Sequence, residues 1–180
     1  GGATSPMTIT GSLVQQSAET LALLVLAQIV NPGCGVVYCG RLGMLEPRTG
    51  LIWGGVELGL SSAGTVQLGH LYGFSVNVYG FSTNAHTLDA QNAFERGLNA
   101  TIPALAGADE LSGIGEMEAG VMGSFAQMVL DNELVGSVMR LRTGLSADVE
   151  HLAVEIIGNV MDGTRNFLGQ KHTLKHLRAG

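Results

Sequence analysis

The chain has 180 residues, of which 46% are hydrophobic and only 13% are charged, and its formal net charge is −6 at pH 7. This length suits one domain with a sizeable core, and the apolar content argues against disorder. Soluble domains usually have about 25% charged residues, so the low charge predicts burial against further chain or another subunit. The acidic balance argues against a nucleic acid partner, which requires clustered Lys and Arg.

The cysteines and the most apolar segment restrict the class of protein further. Cys34 and Cys39 lack zinc-site spacing, and strand alternation places them on opposite faces, so we expect free thiols and a cytoplasmic location. The apolar run 21–30 is shorter than the about 20 residues of a membrane span. It therefore predicts a buried helix and no membrane partner. The start lacks a basic signal region and an initiator Met, so we expect a piece cut from a longer chain.

Helical and alternating apolar patterns follow one another along the chain. In the first helix apolar residues recur at helical spacing from Leu13 to Ile29, with Thr10 or Ser12 as the cap. Further helices are predicted over 56–72, 88–106, 124–141, 147–160 and 167–178. Ser146 is the expected cap of the helix over 147–160. Strands are predicted over 35–39, 74–81 and 108–114, and small residues in the second helix permit close packing.

This alternation predicts a parallel sheet. An eightfold strand–helix barrel needs roughly 250 residues, so three strands indicate about half of one. The predicted fold class is α/β, a partial (β/α)8 TIM-type barrel with parallel strands. A small open α/β sheet is the alternative.

Ligands of parallel α/β folds bind at the carboxyl ends of the strands. The loops there cover 40–55, 80–89 and 115–123. Their candidate residues are Tyr38, Trp53, Tyr79, Phe81, His86, Glu116 and Glu118. Aromatic faces and carboxylates suit an alkylammonium ion. The alternative, which composition alone favours, is that loops are polar in general and that strand-end aromatics seal the barrel.

Other motifs give little support for a different chemistry. The chain has no dinucleotide fingerprint, Gly-Lys-Ser phosphate loop or G-x-S-x-G elbow. His172 and His176 lie four residues apart, as zinc ligands can, which leaves a zinc-dependent hydrolase as a minor alternative. We expect instead that these histidines bond to backbone or carboxylate groups and that no metal is bound.

Several segments, in order along nearly the whole chain, resemble the trimethylamine methyltransferase superfamily. They are 2–6 with 13–16 and 25–28, then Arg48-Thr49-Gly50 with Gly54, Glu57 and Leu58, then Asp89-Ala90-Gln91, Met117-Glu118-Ala119-Gly120, and an ending with Phe167-Leu168, His172-Thr173, His176 and Arg178. The resemblance ends where family chains end. It implies that residues 1–180 form the C-terminal part of a methyltransferase barrel domain.

The resemblance implies transfer of a methyl group from a methylamine or betaine to Co(I). This corrinoid (cobalamin) is carried by a separate partner protein, so the chain itself binds no cofactor. Thr87 matches the position of pyrrolysine in trimethylamine-specific members. An ordinary residue there favours the branch without pyrrolysine and a quaternary amine such as glycine betaine. Ser112 departs from the expected His, which leaves the substrate open.

The resemblance implies a set of site residues and partners. Catalytic roles fall on Thr87 and Glu118, and substrate binding on Tyr38, Trp53, Tyr79, Phe81, His86, Asp89 and Glu116. The expected partners are a corrinoid protein, a methylated amine and further copies of the chain. The alternative function is a non-catalytic, dimerising half-barrel that binds a ligand or partner, to which the low charge is also suited.

Overall fold

The computed structural model describes residues 1–53 and 55–179, in two compact units, 1–143 and 144–180. The helices of the first unit are α1 (Ile9–Val30), α2 (Val56–Leu71), α3 (Ala90–Leu105) and α4 (Phe125–Thr143). Its strands are β1 (Tyr38–Gly40), β2 (Met44–Leu45), β3 (Ile52–Trp53), β4 (Val76–Tyr79), β5 (Glu110–Ser112), β6 (Glu116–Met117) and β7 (Met122–Gly123).

The central sheet is parallel, with the strand order β1-β4-β5. Tyr38 pairs with Val76, and Val78 pairs with Leu111. This confirms the predicted parallel α/β architecture, which is compatible with part of a barrel. Closure into a TIM-type barrel stays a prediction.

The main core lies between this sheet and the helices. Tyr38, Val66, Val76 and Val78 are fully buried there. Leu21 and Leu24 of α1 and Leu68 of α2 pack against them. A second cluster places Phe81 with Ala100, Ala104 and Val138, under α3 and α4.

Small residues let α2 approach its neighbours closely, as the sequence predicts. A Cβ on Gly59 would lie 2.9 Å from the Ile102 side chain of α3. A Cβ on Gly69 would lie 2.4 Å from the Val76 side chain. At Gly69 the stiff Val76 side chain leaves no room for a Cβ, whereas at Gly59 a Cβ would require the end of the Ile102 side chain to shift.

Two antiparallel hairpins lie within segments that the sequence predicts as loops. β2 pairs with β3, and β6 pairs with β7. Strands of two residues are too short to show alternation, so the apolar pattern does not reveal them. The three predicted strands exist, but each is shorter than expected.

The prediction for α1 is wrong in two respects. Thr8 is the N-cap residue rather than Thr10 or Ser12, and the Ser12 hydroxyl instead donates to the Pro6 carbonyl at 2.6 Å. The apolar run is also not buried within this chain, since Val25 is 59% exposed and Ile29 is 72% exposed. Only one stripe of the helix reaches the sheet.

An apolar helix with this much exposure requires another environment on its outer side. By length and composition α1 is able to cross a membrane. Core helices of soluble proteins and signal sequences meet the same criterion, so this is weak support for a membrane span.

The second unit contains α5 (Val149–Leu152), α6 (Val154–Met161) and α7 (Lys171–Ala179). The single helix predicted over 147–160 is interrupted at Ala153, whose φ is 49°. The cap is Asp148 rather than Ser146, because the Asp148 carboxylate accepts a hydrogen bond from the His151 amide. The helical tail is confirmed.

Asp109, at the start of β5, ties α2 to β4. Its Oδ2 accepts from the Val76 amide at 2.8 Å and lies 3.0 Å from His70 Nε2. These two groups, His70 first, hold the pKa of the Asp109 carboxyl below its ordinary value. A depressed folded-state pKa stabilises the fold above the unfolded pKa, and this contribution is lost as pH falls through the folded pKa.

We therefore expect Asp109→Asn to lower the free energy of unfolding at neutral pH and to have little effect in acid, below the folded pKa. Urea denaturation at both pH values measures the difference. Glu133→Gln, on the exposed side of α4, is the control. An equal loss at both pH values would contradict the electrostatic assignment.

Candidate functional site

Hydrogen bonds join the loop after β4 to the segment after β5. The Glu118 amide donates to the Ala85 carbonyl at 3.2 Å, and the Ala119 amide donates to the Thr83 carbonyl at 2.8 Å. Both segments follow the carboxyl ends of parallel strands, where α/β folds bind their ligands. The two loops therefore form one surface, which we call the joined loops (residues 82–89 and 113–123).

His86 and Glu118 face each other on the joined loops. His86 Nδ1 lies 3.5 Å from Glu118 Oε1, and the two side chains are 68% and 42% exposed. Glu118 and Ala119 have positive φ values of 51° and 53°, which are costly for residues other than glycine. Such strain concentrates at functional sites. The Glu116 carboxylate lies beside the same turn, next to Gly120.

Thr87 and Asp89 lie together at the start of α3. The Thr87 hydroxyl donates to Asp89 Oδ2 at 2.9 Å, and Asp89 Oδ1 accepts from the Asn92 amide. These bonds, that from Asn92 first, hold the pKa of Asp89 below its ordinary value. Asp89 is therefore an anionic helix cap that fixes the Thr87 hydroxyl.

Glu95 of α3 fixes the loop after β4 through hydrogen bonds of its carboxylate. Its Oε2 accepts from the Thr83 hydroxyl and from the Asn84 amide, each at 2.7 Å. The Thr83 hydroxyl oxygen in turn accepts from the Ala85 amide at 2.9 Å. One carboxylate thus orders the three residues that precede His86.

The neighbouring Arg96 is buried, with Asp131 as its partner at 3.1 Å. Burial lowers the pKa of the Arg96 guanidinium, and Asp131 and Glu116 oppose that shift. An arginine keeps its charge in proteins. The interior beneath the joined loops therefore contains an ion pair.

The sheet face opposite the helices carries a different set of side chains. Cys39, Asn77 and Glu110 form one row across it, and Tyr79 pairs with Ser112 in the next. The Arg41 guanidinium lies 4.6 Å from the centre of the Tyr79 ring. It also donates to the Asn77 side chain. One face of the Tyr79 ring therefore already has a cation beside it.

The structure brings some predicted site residues together and separates others. His86 and Glu118 meet, Glu116 lies in the same segment, and Thr87 bonds to Asp89. Tyr38 and Phe81 lie in the two apolar clusters on the helix side of the sheet. Their placement favours the alternative of packing, because neither ring is accessible from the joined loops. The Trp53 side chain lies outside the described part of the chain.

Sequence reasoning missed the charged residues that support the loops, namely Glu95, Arg96 and Asp131. The signal was the register of α3, where Asn92, Arg96, Asn99 and Ala100 share the buried stripe. Charged residues normally lie on the exposed face of a helix. A charge at a buried position of the helical repeat is thus a recognisable sign of an internal pair.

The second unit contains the tail histidines. His172 Nε2 lies 3.1 Å from the Glu150 carbonyl, and His176 Nε2 lies 3.5 Å from Glu150 Oε1. These are the backbone and carboxylate neighbours that the sequence favoured. Among residues 1–53 and 55–179, no group of three or more His, Cys, Asp or Glu side chains has metal-site geometry.

The fold and the joined loops define an α/β protein with a polar site at the carboxyl ends of parallel strands. A family model described as trimethylamine methyltransferase (MTTB) matches residues 1–179. The chain therefore belongs to the trimethylamine methyltransferase family, as the resemblance indicated.

Curated relatives support the same family. The chain is 36% identical over 173 residues to trimethylamine methyltransferase MttB of Methanosarcina thermophila, covering 96% of this chain and 36% of the relative. It is 35% identical over 180 residues to MttB of Desulfitobacterium hafniense, covering 98% and 36%. Glycine betaine methyltransferase of D. hafniense is 31% identical over 177 residues, covering 97% and 37%. The chain thus spans little more than a third of the length of these relatives.

The role of Glu95 is testable by amide hydrogen exchange. Glu95→Gln replaces a charged acceptor of two hydrogen bonds by a neutral amide, and bonds to charged groups are stronger. We expect exchange of the Asn84 amide to accelerate about tenfold, because 1.4 kcal/mol corresponds to that factor and a bond to a charged group contributes about as much.

The matched control is Glu133→Gln, on the exposed side of α4, which removes the same charge without touching the loop. Unchanged exchange at Asn84 in the Glu95 variant would show that the carboxylate does not hold the loop.

Proposed function

We propose that the chain is part of a methyltransferase that moves a methyl group from a methylated or quaternary amine to the Co(I) of a separate corrinoid protein. Family membership supports methyl transfer, since relatives are named for trimethylamine and glycine betaine. The observation on which the proposal rests is the pairing of His86 with Glu118 on the joined loops. In this proposal the protein acts in the cytoplasm, and in a methanogen it would feed methanogenesis.

The joined loops supply the charge that a cationic substrate requires. Glu118 and Asp89 are carboxylates on accessible loops, and Glu116 lies two residues before Glu118, next to the turn at Gly120. A carboxylate attracts an alkylammonium ion even when partly exposed, although solvent weakens the attraction. His86 and the Thr87 hydroxyl are polar groups that can orient the rest of the substrate.

The chemistry of a quaternary amine fits a site of this kind. In the transfer the C–N bond breaks and its electron pair stays on nitrogen, which leaves a neutral tertiary amine. The corrinoid Co(I), as the second substrate, supplies the electron pair of the new Co–C bond. The chain's own residues then need only to bind, orient and exclude water, and an ordinary residue such as Thr87 suffices at its position. This favours a betaine-like substrate.

The test uses the natural protein that contains this chain, a Co(I) corrinoid protein and a series of betaines, with methylcobalamin formation followed by absorbance. We expect Glu118→Gln to lower kcat/KM by up to about fivefold, the factor that corresponds to the roughly 1 kcal/mol that a partly exposed ion pair contributes. Glu133→Gln is the control with the same charge change. No methylcobalamin from any betaine or methylamine would refute the proposal.

A second candidate function, a dimerising half-barrel that binds a ligand or partner, is favoured by the exposure of α1. Leu23, Val25, Leu26, Ile29 and Val30 are each more than half exposed. Apolar patches of this kind mark interaction surfaces. This candidate requires no catalysis, so it stands if methyl transfer fails.

Sedimentation of the chain tests it directly. We expect a dimer that Val25→Lys with Ile29→Glu converts to monomer, because charges do not tolerate burial at the centre of an interface. Leu145→Lys, in the other unit, is the control at an exposed apolar residue. A well-behaved monomer of the unsubstituted chain would rule out a dimer formed through α1.

A further inference from the structure

Arg96 and Asp131 form a deeply buried ion pair beneath the joined loops. The Arg96 side chain is 1% exposed, and that of its partner Asp131 is fully buried. Isolated burial of either ion would cost several kcal/mol, and their mutual attraction offsets this only with good geometry and further hydrogen bonds. The hydrogen bonds of Arg96 lead to the segments that follow β4 and β5.

The Arg96 guanidinium donates to carbonyl groups of both segments. Nη1 donates to the Phe81 carbonyl at 2.6 Å and lies 3.4 Å from the Gly113 carbonyl, and Nη2 donates to the Glu116 carbonyl. Phe81 immediately precedes the loop that carries His86, and Glu116 lies two residues before Glu118. The guanidinium of Arg96 therefore bonds both to the residue just before the loop that carries His86 and to the segment that carries Glu118.

Asp131 completes the arrangement from α4. Its Oδ2 accepts from the Gly115 amide at 2.7 Å, and its Oδ1 accepts from Gln127 Nε2 at 2.8 Å. Gly113 and Gly115 both have positive φ, so this segment follows a path that glycine permits. On this path the backbone N–H and C=O groups do not all form hydrogen bonds within a strand or helix. Buried groups of this kind need other partners, and Arg96 and Asp131 supply them.

The Arg96–Asp131 pair makes more directed hydrogen bonds than the stability of the fold alone would require. A buried ion pair is often replaceable by apolar residues without loss of stability. An apolar side chain in place of Arg96 would, however, leave carbonyl groups in two separate loops without donors. Nη1 and Nη2 of the arginine fork reach carbonyl groups of both loops at once, whereas lysine presents a single point charge.

We propose that Arg96 is a positioning residue: held by Asp131, it fixes the loop after β4 against the loop after β5 and so sets the distance between His86 and Glu118. Arg96 has no contact with the exposed surface, and it acts through the two loops. The positioning role itself does not depend on the proposed function. The effect of the His86–Glu118 distance on catalysis rests on the proposed function.

The first test is amide hydrogen exchange on the chain itself. The amides of Glu118 and Ala119 report directly on the bonds that join the loops. In Arg96→Lys we expect both to exchange at least about tenfold faster, while the amides of β4 change less than about threefold, because loops open locally without global unfolding. Arg142→Lys is the matched control, since Arg142 donates to the Ala108 carbonyl away from the joined loops.

Equal acceleration at the loop and β4 amides would overturn the proposal, because the pair would then contribute only general stability. No acceleration at either would overturn it as well. If Arg96→Lys does not fold, Arg96→Met with Asp131→Asn removes the pair without leaving an unpaired buried charge. The same two readouts then apply.

The second test uses the natural protein that contains this chain. If the two loops must be aligned, Arg96→Lys should lower kcat for methyl transfer at least about tenfold, with KM for the amine changed less than about threefold. A matching change in kcat for Arg142→Lys would contradict a specific role. Absence of methyl transfer in the unsubstituted protein would refute the proposed function but leave the exchange result on loop alignment intact.

Discussion

The alternation of side chains across the parallel sheet determines which face of the sheet is apolar and which face carries polar side chains. Val76 and Val78 point toward the helices, and Asn77 and Tyr79 point the other way. The parallel register passes the same division to the neighbouring strands. Tyr38 pairs with Val76 on the helix side, and Ser112 pairs with Tyr79 on the opposite side. The helix face is therefore apolar and closed, while the opposite face and the carboxyl ends of the strands carry the groups with chemistry.

The sequence predicts the elements more accurately than the positions of single side chains. Periodicity identifies the helices and the three parallel strands, since each pattern extends over enough residues to be distinctive. It cannot give the register of a short strand, and a shift of one residue exchanges the two faces. The sequence therefore predicts Tyr38 and Tyr79 at one site, whereas in the structure they lie on opposite faces of the sheet. The sequence places His86 and Glu118 in segments after the carboxyl ends of two strands, and in the structure their side chains lie 3.5 Å apart.

The register of α3 marks Arg96 as a buried charge, but no local pattern identifies the partners of Glu95 and Arg96. Glu95 and Arg96 are adjacent in α3, and each bonds to a segment more than ten residues distant in the sequence. Such pairings are decided by the packing of α3 against the loops after β4 and β5. They also explain why a left-handed turn at Glu118 and Ala119 is maintained, because the surrounding hydrogen bonds determine its path more strongly than its own preference does.

The exposed apolar residues of α1 and the low charge of the chain have a common physical cause. Exposed apolar residues on α1 and the unusually low charge of the chain each indicate surface that is not adapted to water. The relatives are nearly three times as long as the matched region, so in them additional chain is available to cover such a surface. A second copy would cover it equally well. The exposed residues of the joined loops lie at the carboxyl ends of the strands, whereas the exposed apolar residues of α1 lie on the helix side of the sheet. Substitutions on α1 and substitutions on the joined loops therefore change different surfaces of the first unit.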